Sequence, residues 1–313
     1  MRRESRLEEP PRPTLMNIHL VTYATPRFRL RQLVLGWSAR LNRVADTVTH
    51  WTPEKLFSAG FEKRCKGIKL DERGSGFWAW KPFIIDAKLR EIPEGDVVFY
   101  CDVGRAYPFK QLTNSITPFL DWMANYGQSI FPGVSIPWKG PMSMWTKRDA
   151  YVLTHMDLPA IHSAIPIQAS FSLWRACPST INVISEWMEM SSQRALISDD
   201  PSTSGLPELP DFHDHRHDQS LLTLCCLKHG IKGLDIGNAM PPIDTQHPSA
   251  IACFIFGASF KSPHLAGRIL KAVVRPLEVI EANLRTKVSF GEPIPEPSKS
   301  SANSDENHFP TAK

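Results

Sequence analysis

Long apolar runs are missing from this 313-residue sequence: the longest charge-free apolar stretch near its C-terminal end, Pro248 to Phe260, falls short of the roughly 20 residues a membrane-spanning helix needs. Cysteine is sparse and unpatterned. The six present, Cys65, Cys101, Cys177, Cys225, Cys226 and Cys253, form no C-x-x-C pair, which speaks against a zinc ribbon or a disulfide framework and favours a reducing compartment. An excess of one charge is missing too. Against 32 Asp plus Glu stand 36 Lys plus Arg, and a net +4 is too small and dispersed for a nucleic-acid footprint, so no nucleic-acid partner is expected. The first fifteen residues are charged and Pro-rich without the apolar centre of a secretory signal, and a cytoplasmic location is expected. Because strand-like Ile18 to Tyr23 begins just after Met16, Met16 is expected to be the natural start.

What is present is ordinary globular composition, and the length suffices for a sizeable core. Ile18 to Tyr23 reads as a buried first strand ended by Ala24-Thr25-Pro26. Leu30, Leu33, Val34, Trp37 and Leu41 recur at helical spacing and predict the inward face of a helix. Val44 to His50 reads as a second strand, and Thr52-Pro53 as the cap and first residue of a short helix. Gly74-Ser75-Gly76 reads as a loop, Pro82 as the opening of a helix and Val97 to Cys101 as a buried strand. Further on, strands are expected near 129–136 and 167–174, and helices near 116–126, 147–154, 178–194 and 218–229. This alternation predicts an α/β fold with a mixed or parallel sheet covered by helices. The expected organisation is a disordered extension (1–15), one globular domain (16–262), a C-terminal amphipathic helix (263–286) and a disordered tail (287–313). The stretch Ala266 to Thr286 carries three Arg and one Lys; it is expected to pack on the domain or lie solvated, with peripheral contact at the inner membrane face as its other reading.

The chemistry concentrates in a few segments. In Gly74-Ser75-Gly76-Phe77-Trp78-Ala79-Trp80-Lys81-Pro82, a lysine at a helix start adds its charge to unpaired N–H groups, an arrangement suited to phosphate, while Trp78 and Trp80 read as supports of that loop. In Tyr100-Cys101-Asp102-Val103-Gly104, an acid stands at the carboxyl end of a buried strand, where open α/β sheets bind ligands. Asp102 there can hold a divalent metal or a ribose hydroxyl, and Gly104 lets a ligand approach the backbone. His213, Asp214, His215, His217 and Asp218 suggest zinc only superficially, since they sit on an expected loop with no cysteine near. Asp149 is read either as an acceptor contact or as a helix cap, and Cys101, Cys225 and Cys226 as small buried hydrophobes.

In this order the segments resemble the nucleotide-sugar-dependent glycosyltransferases of the GT-A fold. They are most similar to the bacterial polysaccharide-type group with a G-x-G-[FY]-W-x-W-K-P segment before a D-x-[DG] strand end, and more loosely to the glycogenin and galactosyltransferase-like family. Trp145-Thr146-Lys147-Arg148-Asp149, Gln168-Ala169-Ser170 and Arg216-His217-Asp218-Gln219-Ser220 extend the resemblance over Asn17 to Gly233. It implies transfer of a sugar from a nucleoside diphosphate donor to a glycan or lipid-linked acceptor. It places donor binding at Thr22, Tyr23, Lys81, Asp102, Gly104 and Gln168, and the reaction centre at Asp218 and Gln219. A divalent metal, Mn2+ or Mg2+, is implied at Asp102, with His247 as a second ligand. Gly104 replaces the second aspartate of the fuller motif, which weakens metal binding and leaves a metal-independent site open. The looser resemblance favours retention at the anomeric carbon. Two rivals are a sugar nucleotidyltransferase, whose Gly-rich signature after the first strand Thr22-Tyr23-Ala24-Thr25-Pro26 does not match, and a non-catalytic sugar- or nucleotide-binding protein on a degenerate transferase fold.

Overall fold

The computed structural model describes residues 16–103, 111–235 and Pro276. Gly104, His247 and the expected 1–15, 263–286 and 287–313 segments, Pro276 apart, lie outside the described residues. The elements are β1 (Ile18–Tyr23), α1 (Arg29–Leu41), β2 (Thr47–Trp51), α2 (Pro53–Ser58), α3 (Phe61–Arg64), the short segment α4 (Arg73–Phe77), α5 (Trp80–Leu89), β3 (Val97–Cys101), α6 (Thr117–Asn125), β4 (Ile130–Phe131) and β5 (Val134–Ser135). There follow α7 (Arg148–Leu153), α8 (Pro159–His162), β6 (Ile167–Gln168), β7 (Phe171–Arg175), α9 (Pro178–Ser192), α10 (Arg194–Ile197), α11 (Asp218–Lys228) and β8 (Leu234–Asp235). The expected fold class, a mixed α/β sheet flanked by helices, is the one the chain adopts.

The main sheet has the order β2-β1-β3-β7-β4. β1 runs parallel to β2 and β3, while β7 is antiparallel to β3 and β4. From β1 the chain passes through α1 to β2 on one side; from β2 it passes through α5 to β3 on the other. The winding therefore reverses between β1 and β3, and a crevice opens outside their carboxyl ends. Every residue of β3 is buried because the pleat serves two cores. Val97, Phe99 and Cys101 pack with Leu20, Leu35 and Phe119; Val98 and Tyr100 pack with Val21, Ile84, Ile184 and Leu221.

Helix α1 turns a different face inward from the one its spacing predicts. Leu30, Trp37 and Leu41 are exposed, while Gln32, Val34, Leu35, Ser38 and Ala39 are buried. Polar anchors set the rotation: Gln32 Nε2 donates to the carbonyls of Thr22 (3.0 Å) and Trp51 (2.9 Å), and Ser38 Oγ accepts from the Leu112 N–H (2.8 Å). These groups sit in a dry interior, where each unmade hydrogen bond costs about 1–3 kcal/mol, so they override the apolar stripe.

Two expected strands each divide between sheets. Within 129–136, Ile130–Phe131 joins the main sheet and Val134–Ser135 a second, three-stranded sheet of order β6-β5-β8. Gly133 makes the passage at φ 134°, where an added Cβ would lie 2.1 Å from the Gln168 carbonyl oxygen. Within 167–174, the chain leaves the small sheet at Gln168 and enters the main sheet at Phe171. Smaller differences concern helix ends: α5 opens at Trp80 before Pro82, and the 178–194 helix stops at Ser192. Among the described residues no helix is long and apolar enough to cross a membrane.

Candidate active site

The Gly74-Ser75-Gly76 segment is a left-handed turn. Gly74, Ser75, Gly76, Phe77 and Trp78 have φ of 63°, 59°, 87°, 53° and 60°. For Ser75, Phe77 and Trp78 this conformation costs about 1–2 kcal/mol each, so surrounding contacts must hold it. The Phe77 ring stacks on His217 at 5.6 Å, and Trp78 tilts against the same imidazole at 5.3 Å. Trp80 Nε1 donates to the Gly74 carbonyl (3.0 Å) while its ring stacks on Tyr23 at 4.1 Å. Ser75 Oγ donates to the Leu70 carbonyl and lies 2.7 Å from the Tyr23 hydroxyl. Glycine is required at 74, where a Cβ would meet the Trp78 ring at 2.4 Å.

This turn delivers Lys81 to the centre of the site. Its side chain is buried, with Nζ 2.6 Å from Asp218 Oδ2, 3.7 Å from Asp102 Oδ1 and donating to the Ala169 carbonyl at 2.9 Å. Burial alone would lower the Lys81 pKa, but the two carboxylates outweigh it and hold the ammonium above its ordinary value. Burial pushes the Asp218 carboxyl up to about 6, against the pull of Lys81. Tyr100 donates its hydroxyl to Asp102 Oδ1, and burial first, then the Asp102 charge, holds that phenol well above 10.

Asp218 owes its place to the corner before α11. His217 turns there at φ 50°, ψ −119°, with Nε2 2.8 Å from Asp199, so that Asp218 opens the helix where an acid is favoured by the dipole. The two motif segments thus meet physically: Phe77 and Trp78 on His217, Lys81 on Asp218.

A cleft of about 480 Å³ opens at the reversal of the sheet winding, lined by Tyr23, Arg27, Phe28, Ser75, Trp78 and Asp102 among others. Tyr23 and Asp102 border it as expected residues of the two strand ends. Thr22 does not line it; its side chain is fully buried and its hydroxyl has no hydrogen-bond partner among the described residues. Among the described residues Arg27 is the exposed cation of the cleft, and it escaped the sequence reading; its signal was its position just past the first strand. Gln168 and Gln219 line a second pocket of about 210 Å³ with Trp138, Lys139, Trp145 and Arg216, which shares no lining residue with the cleft. Gln168 precedes Ala169, and Gln219 follows Asp218, so each flanks a partner of Lys81.

The histidine-rich stretch does not gather as metal ligands. His215 bridges the Lys147 N–H and the Leu196 carbonyl, His217 pairs with Asp199, and His213 stands edge-on to Trp145. Asp149 is buried and accepts from Ser202 Oγ, Thr203 N–H and Ser204 N–H, the geometry of a loop anchor. The buried cysteines 101, 225 and 226 sit in the two cores.

A divalent cation asks for several oxygen donors. Asp102 is the one acid among the residues lining the cleft, and the Lys81 ammonium already lies between it and Asp218. Among the described residues the cleft thus offers a cation one carboxylate, and the second ligand expected from the sequence, His247, lies outside them. Elsewhere, Glu186, Cys225 and His229 bring potential ligand atoms within 4.8 Å of one another, but Lys228 and His229 already pair with Glu186.

No protein-family model and no curated protein sequence matches the chain. Among solved structures it is similar to mouse xyloside xylosyltransferase 1 in its apo form, at 12% identity and a TM-score of 0.37 over 76% of this chain and 93% of that one. It is also similar to the bifunctional glycosyltransferase WbbM in its apo form, at 12% identity and a TM-score of 0.39 over 68% of this chain and 38% of that one.

Proposed function

We propose that the chain is a GT-A-like glycosyltransferase that moves a sugar from a nucleoside diphosphate donor to a glycan or lipid-linked acceptor. The observation that carries this reading is the shared ammonium of Lys81, joining the strand-end acid Asp102 to Asp218 beside a cleft at the reversal of the sheet. Such a crevice suits a nucleotide. Trp78 and Phe28 offer ring faces to the base, Arg27 offers charge to the departing diphosphate, and Tyr23 with Ser75 offers hydroxyls. In the transfer, the acceptor oxygen bonds to the anomeric carbon, the bond to the diphosphate oxygen breaks, and the proton of the acceptor hydroxyl passes to the departing diphosphate. Asp218, paired with Lys81 in the interior behind Asp102, acts on that centre through its charge from behind the cleft wall, and this preset geometry supplies much of the rate.

The test is a panel of nucleotide sugars scored by thermal shift and donor hydrolysis, with and without manganese. Stabilisation by at least one donor together with its hydrolysis is the expected result. Binding without hydrolysis would favour a non-catalytic protein, and release of pyrophosphate from a nucleoside triphosphate plus a sugar 1-phosphate would favour a nucleotidyltransferase.

A further inference from the structure

The second pocket has a composition of its own. Trp138 is 44% exposed and presents an aromatic face, Lys139 and Arg216 supply two cations, Gln168 and Gln219 supply two amides, and none of the lining residues is acidic. At about 210 Å³ it lies below the roughly 300 Å³ at which pockets for drug-sized ligands begin, so it suits one sugar unit. It is also built rather than incidental. Trp145 Nε1 donates to the Lys139 carbonyl (2.7 Å), while the Trp145 carbonyl accepts from Arg216 N–H (3.0 Å) and Ser220 Oγ (2.6 Å). The loop that carries Trp138 and Lys139 is thereby tied to the helix that begins at Asp218. The Arg216 guanidinium lies 4.5 Å from the centre of the Trp145 ring. Among the described residues its acidic partner is Asp214, 3.8 Å away and shared with Arg73, so positive charge is left over.

We infer that this pocket seats the acceptor sugar and that this sugar is anionic, a pyranose bearing a carboxylate or a phosphate. The inference rests on the glycosyltransferase reading for the word acceptor, but the pocket's ligand chemistry stands apart from it. A ring stacks on Trp138, hydroxyls meet the amides of Gln168 and Gln219, and the anion meets Lys139 and Arg216, a charge-assisted contact that a neutral sugar cannot make.

The full chain is titrated with methyl glucuronide, glucose 6-phosphate, methyl glucoside and inorganic phosphate at 150 mM salt, followed by tryptophan fluorescence and ligand-observed NMR. One or both charged sugars should bind about tenfold or more tighter than methyl glucoside, the scale of one charge-assisted contact, and which of them does so separates carboxylate from phosphate. Arg216→Gln and Lys139→Gln should reduce that preference, and Trp138→Ala should weaken charged and neutral sugars alike. Equal binding of charged and neutral glycosides, or inorganic phosphate binding as tightly as glucose 6-phosphate, would overturn the inference. A wild-type chain that prefers the charged sugars yet hydrolyses no nucleotide sugar would sink the enzymatic reading and leave the pocket assignment standing.

Discussion

Lys81 reaches from the first turn of α5 to the first residue of α11, where its ammonium lies 2.6 Å from the carboxylate of Asp218. The pair spans two helices and is closed off from solvent. Lys81→Met should therefore strand a buried carboxylate and cost about 3–5 kcal/mol of stability. Adding Asp218→Asn removes the stranded charge, so the double variant should recover part of the loss in chemical denaturation. Strictly additive losses would mean that the two side chains do not interact energetically.

Because burial pushes the Asp218 carboxyl up to about 6, donor hydrolysis is expected to rise with pH through that value as the carboxylate forms. The stability effect has the opposite sign. An unfolded Asp titrates near 4 (about 3.9), so between about 4 and 6 the folded state binds the extra proton, and Asp218 contributes less stability as pH rises through this window. A pH–rate profile whose acid limb is the same in Asp218→Glu as in the wild type would disconnect the limb from this residue.

Asp149 behaves in the reverse way. Burial pushes its carboxyl up, but hydrogen bonds from Ser202, Thr203 and Ser204, with Lys147 3.5 Å away, bring it down to about 2. Its contribution is present above about pH 4 and lost as pH falls toward 2. Asp149→Ala should destabilise by about 3–5 kcal/mol near neutrality, with the gap to wild type narrowing by about 2 kcal/mol as pH falls from 4 to 2. A gap that does not narrow would assign the whole loss to packing.

Gly74→Ala should be among the most damaging small substitutions in the site, because the new methyl meets the Trp78 ring and the left-handed turn is already strained by three non-glycine residues. A loss of about 2–4 kcal/mol, with weakened nucleoside diphosphate binding, is expected. Unchanged melting and binding would show that Trp78 moves aside freely.

The first and third strands were legible as apolar runs closed by breakers, and the acid at the end of β3 followed from them. Handedness was not legible: composition marks Gly74-Ser75-Gly76 as irregular, but no spacing rule reveals that the chain winds left through Phe77 and Trp78. The rotation of α1 was hidden for a related reason. Hydrophobic periodicity weighs Trp37 and Leu41, whereas the carbonyls of Thr22 and Trp51 fix the helix through Gln32. Gln168 and Gln219 stood in segments already singled out, yet their pocket needs Trp138 and Lys139, whose loop has no periodic signal.

Ala169 and Ser170 belong to neither sheet, and that vacancy in the ladders has a mechanical meaning. Freed from strand pairing at this crossing, the Ala169 carbonyl becomes a ligand of Lys81 and the Ser170 carbonyl takes the Asp102 N–H at 2.8 Å. Two neighbouring peptide groups thus act as a common pivot for the charged centre and the rim of the cleft. A shift of the small sheet that carries Gln168 is therefore expected to move both at once, like a lever with two short arms. Filling the pocket at Gln168 should accordingly slow amide hydrogen exchange at Asp102, and an unchanged rate there would show the pivot to be slack.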